Sequence, residues 1–230
     1  MWPSTAAELV RAQRELAALG PPGWRPSTAR PLVAGCYVCF ARGEGGRGRA
    51  GERGWAAAVL MRGNRRLVES AVAVGAAGAP YEPGLLALRE GALLEAALRV
   101  LAEPPEVLLA NATGRDHPRA AGLALHLGAV LDLPSIGVTD RPLQAEGREP
   151  GAERGATSPV LLRGVEVARM LRTRAGARPV VLHPGWRTDL DTAIAVVLAS
   201  TRRARTPEPL RRARQLARYA RAAAGPDPPG

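Results

Sequence analysis

Pro80-Tyr81-Glu82-Pro83-Gly84-Leu85-Leu86-Ala87-Leu88-Arg89-Glu90 is the stretch on which the reading of this chain turns. Prolines on both sides of Tyr81 restrict its backbone and hold the ring at a loop tip. A helix opens immediately afterwards, and Glu90 falls about two turns inside it, where a core-facing carboxylate needs a partner or a metal. Taken alone, the stretch also fits an ordinary helix start with a solvated face.

The bulk properties narrow the partners. The chain has 230 residues, 46% of them apolar but only 3% aromatic, so its core must be built from Ala, Val and Leu. The formal charge is +11 and the pI about 11.3, which calls for a polyanionic partner, with nucleic acid ahead of a membrane surface. Every basic residue is Arg and none is Lys, and the guanidinium fork suits phosphate. Cys36 and Cys39 have Cys-x-x-Cys spacing inside an apolar strand. Positions three apart on a strand face opposite ways, so the pair is expected to be two buried small hydrophobes, neither disulfide nor metal site. No apolar run reaches about eighteen residues and no signal peptide is evident, so a cytoplasmic protein without membrane contact is expected.

Outward from the central stretch, the pattern falls into two regimes. Residues 4–19 read as a helix stopped by Gly20-Pro21-Pro22-Gly23, and Leu32–Phe40 as a central strand. A Gly/Arg loop at 43–53, expected to be mobile, leads to strands at 55–62 and 67–74 joined through Gly63-Asn64, an antiparallel meander. Helix and strand then alternate: helices at 84–102, 117–131, 165–174, 188–200 and 207–223, strands at 106–111, Ser135–Thr139, 160–164 and 179–183. The expected fold is α/β, a mixed sheet of a three-strand meander plus parallel strands with helices on both faces. Residues 1–224 are expected to form one domain, with 225–230 a disordered tail. The Arg-rich last helix could clamp a nucleic-acid backbone or merely keep a soluble face; its arginines read as spread around it rather than confined to one stripe, which favours the solvated face.

Four blocks, in order and at matching spacing, resemble the endonuclease V family: Leu32–Phe40, the Pro80 to Glu90 stretch, the run from Asn111 to Gly122 with Gly114 and His117-Pro118-Arg119, and Gly185 to Ala193. Gly137-Val138 adds a weaker fifth. The similarity spans the chain from the Ala12-Gln13-Arg14-Glu15-Leu16-Ala17 helix to Pro207-Glu208-Pro209. It implies a ribonuclease H-like fold and cleavage of DNA or RNA near deaminated purines such as inosine. Tyr81 would be a wedge pushed into the strand, with Pro83, Gly84, Arg89, Gly114, His117, Arg119 and Gly137 binding nucleic acid or the extracted base.

The resemblance breaks at the catalytic positions. In that family a divalent ion is held by carboxylates from the first strand, the wedge helix and the fourth strand. Here Tyr37 stands at the first-strand Asp and Asn111 at the fourth-strand Asp, and only Glu90 is retained. Asp140 replaces a basic Lys near the scissile phosphate, and Trp186 stands where Gly-His-Arg would place a His. One carboxylate cannot replace three around magnesium. The expectation is therefore an endonuclease V-like protein that binds DNA or RNA with a preference for inosine but is catalytically impaired or inactive, a pseudoenzyme with no cofactor expected. Two alternatives stay open. One is an active metal-dependent repair endonuclease with a relocated site using Glu90, Asp140 and Asp191, which would take magnesium or manganese. The other is a repurposed fold with a small-molecule or protein partner at a pocket lined by Tyr37, Asn111 and Trp186. Oligomeric state is left open.

Overall fold

Nine strands form one sheet in the order β3-β2-β1-β4-β5-β9-β8-β7-β6, in a computed structural model that describes residues 2–41 and 46–225. β1 (Leu32–Phe40), β2 (Arg53–Arg62) and β3 (Arg66–Ala76) make the expected antiparallel meander. β4 (Val107–Ala110) and β5 (Ser135–Thr139) run parallel to β1. The sheet continues antiparallel through β9 (Val180–Pro184), β8 (Val165–Leu171), β7 (Thr157–Leu162) and β6 (Glu146–Gly147).

Helices cover both faces, which is why β1 and β2 read as unbroken apolar runs rather than alternating ones. α1 (Ala6–Ala18), α2 (Leu86–Arg99) and α3 (Leu123–Leu131) lie on one side. There the small side chains of Ala34, Cys36, Ala56 and Ala58, together with Leu60, pack against Leu93, Leu94 and Ala97 of α2. α4 (Leu190–Ser200) and α5 (Glu208–Ala223) cover the other side, where Ala57 and Cys39 meet Ala217, and Val59 and Met61 meet Ala213. Cys36 and Cys39 thus face opposite ways, both buried as free thiols. At Gly35 a Cβ would overlap the carbonyl carbon of Pro209, so the start of α5 rests backbone to backbone on β1.

Local chemistry sets the ends of the elements. Thr5 and Glu8 close a capping box on α1, and the Asp189 side chain accepts the Thr192 N–H at 2.7 Å to start α4. Three expected boundaries are corrected. Residues 165–174 are not helical: Arg163 (φ 52°) and Gly164 (φ 80°) form a two-residue turn that pairs Leu162 with Val165 and sends β8 back along β7. The helix expected from residue 84 starts at Leu86, because Gly84 sits at φ 81°. The helix expected from 117 starts at Leu123, since residues 117–120 form a turn closed by Ala120 N–H to His117 C=O at 2.9 Å. The expected tail lies, beyond Gly225, outside the described residues, as does part of the 43–53 loop. Among the described residues no helix is long and apolar enough to cross a membrane.

The parallel register brings Cys36, Ala110 and Gly137 side by side. The next residues, Tyr37, Asn111 and Val138, therefore sit together where β4 and β5 reach their carboxyl ends and β1 runs on to Phe40, the usual place for a site in sheets of this kind.

Candidate nucleic-acid interface

Tyr81 lies at the tip of the turn before α2, 44% exposed, with its N–H donating to the Arg47 carbonyl at 2.6 Å. Three donors from distant segments converge on the Gly84 carbonyl behind it: Gln13 Nε2 at 3.1 Å, His117 Nε2 at 3.1 Å and Arg119 Nη2 at 2.6 Å. His117 Nδ1 accepts the Arg119 backbone N–H at 3.2 Å, which assigns the ring proton to Nε2. Burial, helped by the Arg119 charge, holds the pKa of His117 down at about 4, so the neutral ring matches its hydrogen bonds. His117 and Arg119 thus clamp the turn from behind, and Pro83 stays exposed beside Tyr81.

Arg89 is a correction. Expected among the nucleic-acid contacts, it is buried and turned inward. Its guanidinium pairs with Glu52 at 2.5 Å, donates to Ala79 C=O at 3.0 Å and lies 3.9 Å from the centre of the Phe40 ring. It braces the loop before β2 against the turn. Gly114 and Gly137 serve packing in the same way: a Cβ on either would strike a carbonyl oxygen, that of Pro184 or of Ala112.

Beneath the tip lies a cavity of about 220 Å³ lined by Cys36, Tyr37, Tyr81, Glu90 and Asn111 among others. A second, of about 100 Å³, lies on the other side of Tyr37 and Asn111 and is lined by Thr139, Asp140 and Arg214. The sequence-expected residues Glu90, Tyr37, Asn111 and Tyr81 are thus brought together, with Asp140 next door. Burial raises the Glu90 pKa to about 7 against the opposing pull of Arg89, and no described residue donates a hydrogen bond to it. Burial, with the Glu90 charge adding to it, also pushes the Cys36 thiol up, so it stays protonated.

A divalent ion, implied by the family resemblance, does not fit this donor set. One carboxylate that is half protonated at neutral pH, a phenol and an amide offer too little anionic oxygen for a hard cation. Among the described residues no three His, Cys, Asp or Glu side chains group to hold a metal. The rearranged trio does not form: Asp140 is exposed and ion-paired with Arg205. Asp191, 78% exposed, pairs with Arg169 at 3.5 Å and lines neither cavity. Trp186 also lies away from the cleft, since its indole N–H donates to Asp132 at 3.0 Å at the end of α3. Both departures have one cause. β9 runs antiparallel to β5, so the segment following it emerges at the opposite end of the sheet from Tyr37 and Asn111.

Two residues take places that the sequence reading does not give them. Arg214 of α5 reaches the second cavity with its guanidinium 5.5 Å from the Tyr37 ring centre; nothing local marks it. Asp116, fully buried, accepts the backbone N–H groups of Leu143, Gln144 and Ala145 at 2.6, 2.9 and 3.0 Å and so pins the loop that follows Asp140. An acid between Arg115 and His117 is the one available signal.

Residues 25–215 match the Endonuclease V family model. The Endonuclease V of Streptomyces avermitilis is 41% identical over 225 residues, covering 95% of this chain and 93% of the relative. A crystal structure of the Streptomyces avermitilis protein superimposes with a TM-score of 0.84 at 40% identity, over 97% of this chain and 96% of that one. The fold also matches a Ciona intestinalis Endonuclease V in complex with a 24mer DNA containing an inosine followed by a ribo-adenosine. That match has a TM-score of 0.80 at 20% identity and covers 95% of this chain and 98% of the other. This chain belongs to the endonuclease V family.

Proposed function

We propose that this protein binds single-stranded or locally opened DNA or RNA, prefers strands carrying deaminated purines such as inosine, and is impaired in metal-dependent cleavage. The observation that carries this is the contrast within one cleft. The tip is intact, with Tyr81 exposed and Gly84 held by three donors. The floor has a single carboxylate flanked by Tyr37 and Asn111. Tyr81 replaces lost base stacking as a strand opens, worth roughly 1–3 kcal/mol, and a poorly paired base is the easiest to extract. The inosine-containing DNA bound by the Ciona protein of the same fold supports the choice of lesion. Hydrolysis suffers because a lone Glu90 neither cages a cation nor stays fully ionised to activate water. Residues 1–224 work as one domain, and the two unpaired thiols suit a reducing cytoplasm.

The test is binding and cleavage of inosine-containing and control oligonucleotides with magnesium, manganese or chelator. Salt-dependent binding, weakened by Tyr81→Ala, with no product in any of the three is expected. Metal-dependent product that disappears on Glu90→Ala overturns the proposal.

A further inference from the structure

Helix α5 carries Arg214, Arg218 and Arg221, four and three residues apart and so on one face of the helix. The arginines of α5 are therefore not evenly spread. Arg211 and Arg212 are drawn to Glu208 near the helix start, at 2.5 and 3.9 Å. The other three have no acidic partner among the described residues. Arg221 donates to the Phe40 carbonyl at 3.1 Å, Arg218 is exposed, and Arg214 stands beside the Tyr37 ring at the second cavity. The row begins at the cleft and follows β1 toward its end.

Around that cavity the unused hydrogen-bonding groups are mostly donors. The Tyr37 hydroxyl and the Asn111 amide have no hydrogen-bond partner among the described residues, and Asn111 is open to solvent. The Arg214 guanidinium lies near an aromatic ring that restricts it and leaves its N–H fork free for a planar or tetrahedral oxyanion. The one acid at the mouth, Asp140, is neutralised by Arg205. A cation placed here would be repelled by Arg214; an anion would meet donors of three kinds. The cavity, about 100 Å³, has room for a group the size of a phosphate.

We infer that the cavity among Tyr37, Asn111 and Arg214 is a seat for one backbone phosphate of a nucleic-acid strand, held without a metal, and that Arg218 and Arg221 extend the track along α5. Two helical turns, about 10 Å, separate Arg214 from Arg221, so the row reaches beyond a single phosphate. The inference rests on the nucleic-acid binding proposed above and adds where the backbone is gripped and by what.

The experiment measures binding of a labelled inosine-containing single strand over a salt series, with chelator and with magnesium. Wild type is expected to bind equally in both. Arg214→Gln is expected to weaken binding about tenfold, the loss of one charge-assisted contact, and to lower the salt slope by about 0.7, one phosphate on a single strand. Arg212→Gln, on the other flank of α5, is expected to change neither. If wild type binds but Arg214→Gln matches it in affinity and slope, the seat is wrong while nucleic-acid binding stands. If chelator abolishes wild-type binding, a metal holds the phosphate and the seat is again wrong. The seat is also read without nucleic acid, from the rise in thermal midpoint with inorganic phosphate in chelator. A rise lost in Arg214→Gln together with strand binding upholds the seat, whereas the same rise where no strand binds shows an anion site and overturns its assignment to a nucleic-acid backbone along with the nucleic-acid reading. Absence of any rise together with absence of strand binding overturns both. Circular dichroism of the variants confirms that they are folded.

Discussion

The Arg119 guanidinium meets the Gly84 carbonyl at 2.6 Å across 35 residues of sequence, tying the turn after β4 to the tip that carries Tyr81. Gln13 and His117 share that carbonyl. Arg119→Ala should cost about 1–2 kcal/mol of stability, the loss of a charge-assisted hydrogen bond at a partly buried site. Gly84→Ala should cost a similar amount, about 1–2 kcal/mol, because φ 81° is unfavourable for a residue with a Cβ. Both variants should bind a single strand more weakly than their stability loss explains, since Tyr81 loses its fixed pose. Urea denaturation alongside strand titration separates the two effects.

Glu90 gives a pH signature. Its folded pKa is raised to about 7 from an ordinary value of 4.5, so between those limits the folded state binds more protons than the unfolded one. Stability attributable to this group therefore falls as pH rises from about 4.5 to about 7 and stays reduced above it, by roughly 3 kcal/mol. Glu90→Gln removes the penalty. Its thermal midpoint should exceed that of wild type by about 6–12 °C at alkaline pH and match it near pH 4. A midpoint difference that does not vary with pH would show that the carboxyl is not desolvated as described.

Asp116 is the most consequential buried acid outside the cleft. Replacing it by Ala leaves the N–H groups of residues 143–145 without their acceptor, and a loss of about 3 kcal/mol is expected. Hydrogen exchange at those three amides should accelerate beyond what the global change predicts, because the loop loses the acceptor that holds it. Asp116→Asn should recover part of the loss, since its single carbonyl oxygen still accepts.

The meander and the central strands are legible in the sequence because they depend on short-range pattern, apolar runs and turn residues; the placing of Glu90, Tyr37 and Asn111 around one cavity is legible only through the resemblance to the endonuclease V family. β8 reads as helix because Val165, Ala168 and Leu171 recur at a spacing that suits a helix too. The decisive signal is the two-residue Arg163-Gly164 turn, not the apolar period. Trp186 and Asp191 are misassigned because their position depends on the direction of β9, which no local pattern encodes. Arg214 is invisible for a similar reason. Its partner Tyr37 is a whole fold away, and only the packing of α5 on β1 brings the two together.

That packing rests on an absent methyl group. Because the carbonyl of Pro209 occupies the space a Cβ at Gly35 would need, the helix approaches the sheet as closely as two backbones can. Tyr37 lies two residues along the strand and Arg214 five along the helix. The separation of strand and helix beside the cavity is thus set by main-chain contact upstream, and the side chains of Tyr37 and Arg214 fill what is left. Substitutions in the cavity wall can change what it holds while its width stays constant, much as the jaws of a vice keep their setting when the facing plates are exchanged.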